Sequence, residues 1–173
     1  MAQRGLSARL QTPDLPHRPA QAMVLAERLL AQMPEKPTLI GSSLGGYYAT
    51  YLAERHGLKA VLINPAVAPY RLLEPLLGPQ QNYYSGETYA LTSQHLVELQ
   101  ALELATLHPE RYFLLVQTGD EVLDYRVAVA RYAGAQQCVI PGGDHGFQQF
   151  ENYLGAILAF AGMGADAPTA RGQ

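Results

Sequence analysis

The chain has 173 residues, 48% of them hydrophobic and 16% charged, with a formal net charge of -3 and one cysteine. That length and balance fit one domain able to bury its own core, while the charge offers no basic field for nucleic acid and no apolar run reaches membrane-spanning length. Cys138, alone in the chain, excludes a disulfide or zinc framework; within Cys138-Val139-Ile140 it reads as a buried structural residue.

Residues Met1 to Gln11 have little apolar periodicity, though Ala8-Arg9-Leu10-Gln11 reads as a brief strand before the turn Thr12-Pro13-Asp14-Leu15-Pro16. No charged-then-apolar leader follows Met1, so the cytoplasm is the expected location. From Pro19 to Met33, Ala22, Met23, Leu25, Ala26, Leu29 and Leu30 recur at helical spacing, and Pro34 and Pro37 close the segment.

The next stretch organises the chain. Thr38-Leu39-Ile40 is a short, partly β-branched strand running into Gly41-Ser42-Ser43-Leu44-Gly45, a Gly-x-Ser-x-Gly turn, after which Tyr47, Tyr48, Tyr51 and Leu52 repeat at helical spacing until His56-Gly57. Strand, turn and helix in that order make a nucleophile elbow. The serine stands on a reversal too tight for neighbouring side chains, a demand expected to fall on Gly41 and Gly45, and beside the free N–H groups of a helix start.

Ala60-Val61-Leu62-Ile63 then forms an uninterrupted apolar run ended by Asn64-Pro65, as a strand buried on both faces does. Residues 66–110, with several prolines, Tyr83, Tyr84, Tyr89 and a predicted helix from Ser93 to Thr106, are too long for an ordinary connection. Two readings stay open: an excursion over the strand ends where substrate pockets lie, or a helical connector with surface tyrosines. Strand Tyr112 to Gln117, helix Tyr125 to Ala133, strand Gln137 to Ile140 and helix Gln149 to Ala161 resume the alternation, which predicts a mostly parallel sheet flanked by helices. The domain is expected to span residues 1–161, with 162–173 a mobile tail.

Two strand ends carry the remaining chemistry. Gln117-Thr118-Gly119-Asp120-Glu121 places Asp120 at the strand terminus, whereas Asp124 precedes a helical pattern as an N-cap would; Asp120 is the favoured orienting acid and Asp124 the alternative. Pro141-Gly142-Gly143-Asp144-His145-Gly146 gives a histidine on a glycine-flanked loop between a strand and a helix. Ser43, Asp120 and His145 thus follow the order Ser, Asp, His of α/β-hydrolases, each at the end of a different strand. In that chemistry His145 takes the serine proton, Asp120 fixes the imidazole, and the Leu44 N–H serves as an oxyanion donor. His17, His56, His95 and His108 have no convincing metal-site context.

The strings Gly41 to Thr50, Asn64 to Val67, Gln117 to Arg126 and Gly142 to Phe147 together resemble the YqiA/YcfP group of small bacterial α/β-hydrolase esterases, from about Leu6 to Phe160. The resemblance implies hydrolysis of a small acyl ester or acyl thioester, with acyl-CoA among the candidates, and no metal or organic cofactor. By motif matching it makes Ser43 the nucleophile, Asp120 the acid and His145 the base. Members of that group open with an apolar strand ending in a His-Gly-Phe-Asn-Ser-Ser-Pro-like segment, which supplies a second oxyanion donor, and then a helix. This sequence lacks both, so Met1 is expected not to be the native start, or the chain to be a degraded paralogue, and an unpaired edge and half an oxyanion hole are expected. The competing reading is a catalytically impaired or non-catalytic binding protein that keeps the pocket. A nucleotide-binding fold is disfavoured, since the glycines form neither G-x-G-x-x-G nor a P-loop. Acyl length, leaving group and oligomeric state are not encoded in these patterns.

Overall fold

The computed structural model describes residues 10–81, 86 and 88–163. Helix α1 spans Pro19–Gln32, strand β1 Thr38–Ser42, helix α2 Leu44–His56 and strand β2 Lys59–Ile63. After helix α3, Pro69–Leu73, come strands β3, Gly78–Gln81, and β4, Thr88–Leu91, then helix α4, Ser93–Gln100. Strand β5, Tyr112–Gln117, helix α5, Tyr125–Arg131, strand β6, Gln136–Ile140, and helix α6, Leu154–Phe160, complete the order.

Four strands form one sheet in the order β1-β2-β5-β6, every neighbouring pair parallel. Parallel pairing brings the ends of all four strands, and the loops that leave them, to one edge. Side chains alternate across the sheet. Ala60, Leu62, Tyr112, Leu114 and Val116 meet Ala49 and Ala53 of α2 and Ala128 of α5 on one face, while Val61, Ile63, Phe113 and Leu115 meet Ile157 of α6 and Phe147 on the other. Burial on both faces explains why β2 and β5 read as unbroken apolar runs.

Among the described residues β1 pairs only with β2, so it is an outermost strand, and Ile40 at its centre is 41% exposed. The other outer strand, β6, carries Cys138. That residue is half-buried against the Val61 face rather than fully enclosed, because among the described residues one flank of β6 has no neighbouring strand.

Several element limits differ from expectation for local reasons. The helix predicted to reach Thr106 stops at Gln100, where the N–H groups of Leu102 and Glu103 turn to the carbonyls three residues back, both at 3.0 Å, and the Arg131 guanidinium then takes the carbonyls of Leu104 and Ala105. The last helix opens as a 3-10 turn over Phe150–Tyr153 because Gln149 is left-handed, with φ 58°. The α5 helix ends at Arg131, ahead of Gly134 at φ 87°.

Within 66–110 the sequence reading missed the antiparallel hairpin of β3 and β4. Leu99 of α4 is buried against Tyr47, Tyr48 and Leu52 of α2 and Met23 of α1, and Arg18 pairs with Glu98 at 2.9 Å. Tyr89 is half-buried and stacks on His17, ring centroids 4.5 Å apart. Tyr83 and Tyr84 lie outside the described residues, as do residues 164–173 of the expected tail and the Ala8-Arg9 half of the expected first strand; Leu10 and Gln11 carry no strand.

No helix among the described residues is long and apolar enough to cross a membrane.

Candidate active site

Ser43 follows the last residue of β1 and caps α2, with φ 52° and ψ -122°. An L-residue adopts such a backbone at a cost of roughly 1–3 kcal/mol, held here by the surroundings. The Ser43 N–H donates to the Ile63 carbonyl at 3.0 Å, and the Ser43 carbonyl accepts from the N–H groups of Gly46 and Ala66, both at 3.0 Å. The elbow is thereby riveted to the turn that ends β2.

The steric demand at the elbow falls on Gly41, as expected, and on Gly46 in place of Gly45. A Cβ on Gly41 would lie 2.2 Å from the Gly45 carbonyl oxygen, and one on Gly46 would lie 2.7 Å from the Pro65 Cβ. A Cβ on Gly45 would meet nothing within 4 Å. Gly45 therefore leaves space at the helix start rather than relieving a clash.

Asp120 leaves the end of β5 through a turn in which its N–H donates to the Gln117 carbonyl at 3.3 Å. Its side chain is 1% exposed. Oδ1 accepts from the N–H groups of Val122 at 2.9 Å and Leu123 at 2.8 Å, an Asx-type arrangement that fixes the carboxylate plane. Gly119 just before it allows the chain to pass the loop after β6: a Cβ there would sit 2.4 Å from the Gly143 carbonyl oxygen.

His145 lies in that loop. Its Nδ1 is 3.0 and 2.9 Å from the two Asp120 oxygens, and its Nε2 is 3.1 Å from the Ser43 Oγ. The three residues predicted from strand-end placement are brought into one hydrogen-bonded line. A carboxylate can only accept, so the network assigns the Nδ1 proton to the Asp120 side and leaves the Nε2 lone pair facing the serine hydroxyl. The His145 N–H donates to Glu121 Oε2 at 3.1 Å, a role the sequence reading did not give to Glu121.

Asp124, the alternative acid, is elsewhere. It caps α5 by accepting the Arg126 N–H at 3.0 Å and forms a forked ion pair with the same residue's guanidinium, which holds its carboxyl below the usual range. The other four histidines are engaged elsewhere: His17 stacks on Tyr89, His56 binds Glu27, His108 binds Glu54, and His95 closes a capping box with Thr92.

The Leu44 N–H is in the first turn of α2 and no described residue accepts from it, so it is free to receive an oxygen at the positive end of the helix. No group of three or more His, Cys, Asp or Glu among the described residues is arranged to hold a metal ion.

Two site residues escaped the sequence reading: Asn64 and Gln117, buried amides at the ends of β2 and β5 that reach into the histidine loop. The available signal was a polar residue closing an otherwise apolar strand, at each of the two central strands.

Solved structures share this architecture. A protein of Agrobacterium vitis S4 assigned as a hydrolase aligns with a TM-score of 0.65 and 23% identity over 83% of this chain and 68% of its own. The esterase domain of a Rhodothermus marinus protein gives 0.56 and 19% over 80% and 67%. The monoacylglycerol lipase of Paleococcus ferrophilus gives 0.58 and 17% over 83% and 75%. The fold is that of the α/β-hydrolases, and this chain spans about two thirds to three quarters of the length of these neighbours. Residues 1–162 match the family model described as Uncharacterised protein family (UPF0227), that of YqiA and YcfP, and the chain belongs to this family.

Proposed function

We propose that this chain is a serine hydrolase that cleaves a small acyl ester or acyl thioester through an acyl-enzyme intermediate. The observation that carries the proposal is the 3.1 Å separation of Ser43 Oγ and His145 Nε2, with the other ring nitrogen 2.9 Å from Asp120. A serine hydroxyl is a weak nucleophile until a base takes its proton. In the proposed step Ser43 Oγ bonds to the substrate carbonyl carbon as its proton passes to Nε2; Asp120 stabilises the resulting imidazolium through Nδ1.

The carbonyl oxygen becomes an oxyanion, which the Leu44 N–H stabilises; one such donor is worth about 3 kcal/mol of barrier. Collapse of the tetrahedral species breaks the bond to the alcohol or thiol, which leaves with the proton from Nε2. Water then attacks the acyl-serine by the same route, and the carboxylic acid departs with Ser43 restored.

The esterase domain and the lipase among the structural neighbours are in keeping with this reading of the fold. The test is labelling of the 173-residue chain with a fluorophosphonate, together with turnover of a panel of short acyl esters and acyl-CoA thioesters. Covalent labelling at Ser43 with turnover of at least one class supports the proposal; an unlabelled chain that binds acyl compounds without turning them over overturns it in favour of a binding protein.

A further inference from the structure

The histidine loop contains three glycines between residues 142 and 146, two of them left-handed, at φ 72° and 73°, and no regular element between Ile140 and Phe150. Such a segment does not by itself hold an imidazole between two partners on other strands. Two buried side-chain amides do. Asn64 is 2% exposed and Gln117 is 3% exposed.

Asn64 Nδ2 donates to the main-chain carbonyls of Asp144 at 3.0 Å and His145 at 3.1 Å, and its Oδ1 accepts the Gln117 N–H at 3.0 Å. Gln117 Nε2 donates to the Gln148 carbonyl at 2.9 Å, while its Oε1 accepts the N–H groups of Gln148 at 2.8 Å and Asp144 at 3.2 Å. Both nitrogens face carbonyls and both oxygens face N–H groups, so each amide has one orientation that satisfies its partners. All the bonds made to the loop go to its main chain, on both sides of His145.

The other ends of the clamp are tied to the residues His145 must reach. Asn64 lies between Ile63 and Ala66, the residues that bond the Ser43 carbonyl and N–H. Gln117 accepts the Asp120 N–H through its own carbonyl. Asn64 thus spaces His145 from the serine and Gln117 spaces it from the acid, and the two are bonded to each other. Gly143 completes the fit: a Cβ there would lie 2.0 Å from Gln117 Oε1.

We infer that Asn64 and Gln117 are positioning residues that set the Ser43–His145–Asp120 distances by clamping the backbone of the loop that carries His145. The inference rests on the serine-hydrolase reading for its kinetic consequence, though not for its structural one. An amide is required: Asn64→Asp and Gln117→Glu keep size and shape but replace each donating nitrogen with an oxygen facing a carbonyl.

The test uses the full chain in four forms, the parent, Asn64→Asp, Gln117→Glu and Asn64→Ala, each confirmed folded by circular dichroism and thermal unfolding. The rate of fluorophosphonate labelling at Ser43 and kcat for a short acyl ester are expected to fall roughly 10- to 100-fold, the scale set by an ångström of misplacement, while KM changes by less than about threefold. Repeating Asn64→Asp in a His145→Ala background, where there is no base to place, is expected to add no further loss.

The second readout is the downfield NMR resonance of the His145 Nδ1 proton shared with Asp120, present in the parent and lost or shifted in the folded variants. Folded variants that label and turn over at the parental rate overturn the clamp, as does an equal added loss in the His145→Ala background. A parent that neither labels nor turns over defeats the hydrolase reading alone; the clamp is then judged by the resonance, and its persistence unchanged in the variants overturns it.

Discussion

His145 Nε2 and Ser43 Oγ lie 3.1 Å apart although 102 residues separate them in the chain. The parallel sheet makes this possible, since β1 and β6 deliver their following loops to the same edge.

Ser43→Ala and His145→Ala are each expected to lower kcat for acyl-ester hydrolysis by at least roughly ten-thousand-fold, with folding retained. Residues acting in one proton transfer fail as a unit, so the double variant should lose little more than either single. Steady-state kinetics on the three proteins check this; additive losses would separate the two roles.

The two aspartates give a sharper contrast. Asp120→Asn presents an amide to Nδ1 and favours the wrong imidazole tautomer, for which a loss of about 10⁴-fold in kcat is expected. Asp124→Asn keeps an N-cap side chain on α5 and should leave kcat within about threefold and stability within about 0.5 kcal/mol. Equal effects of the two substitutions on kcat would contradict the assignment of the acid.

Glycine substitutions separate clash from open space at the elbow. Gly41→Ala forces a methyl to 2.2 Å from a backbone oxygen and is expected to cost more than about 3 kcal/mol or prevent folding. Gly45→Ala meets nothing within 4 Å at a helix start and should raise stability by up to about 1 kcal/mol. Denaturant unfolding distinguishes the two.

Glu54 of α2 gathers His108, Arg111 and Tyr112 around one carboxylate. Burial raises its carboxyl pKa, yet the N–H and ring of His108, the Tyr112 hydroxyl at 2.7 Å and the Arg111 guanidinium outweigh that and hold it below its ordinary 4.5. A carboxyl depressed in the folded state contributes stability that is fully present above 4.5 and is lost as pH falls through the lower folded value. Glu54→Gln should therefore destabilise the chain at pH 7 and flatten the stability profile below pH 4.5, read by thermal unfolding across pH 3 to 7.

The strand order of the chemistry was legible because apolar runs and glycine turns are local signals. Ala60 to Ile63 and Tyr112 to Gln117 carry their burial in composition, Thr38 to Ile40 reads as a strand from apolar and β-branched residues although Ile40 is exposed, and each run leads to a residue the site uses. What stayed hidden depends on contacts between distant segments. The course of the chain after α4 is held by Arg131, thirty-one residues beyond Gln100. The relief of crowding at the elbow moved from Gly45 to Gly46 because Pro65 lies against it. Asn64 and Gln117 looked like strand punctuation until the loop they grip was folded over them.

Ser43 holds a backbone shape that glycine adopts with ease, so Ser43→Gly would leave a sturdier protein without the proposed nucleophile. Selection for robustness alone runs against the chemistry proposed for this position. A serine kept in that conformation marks where the chain gives up resilience so that one oxygen stands clear of the sheet.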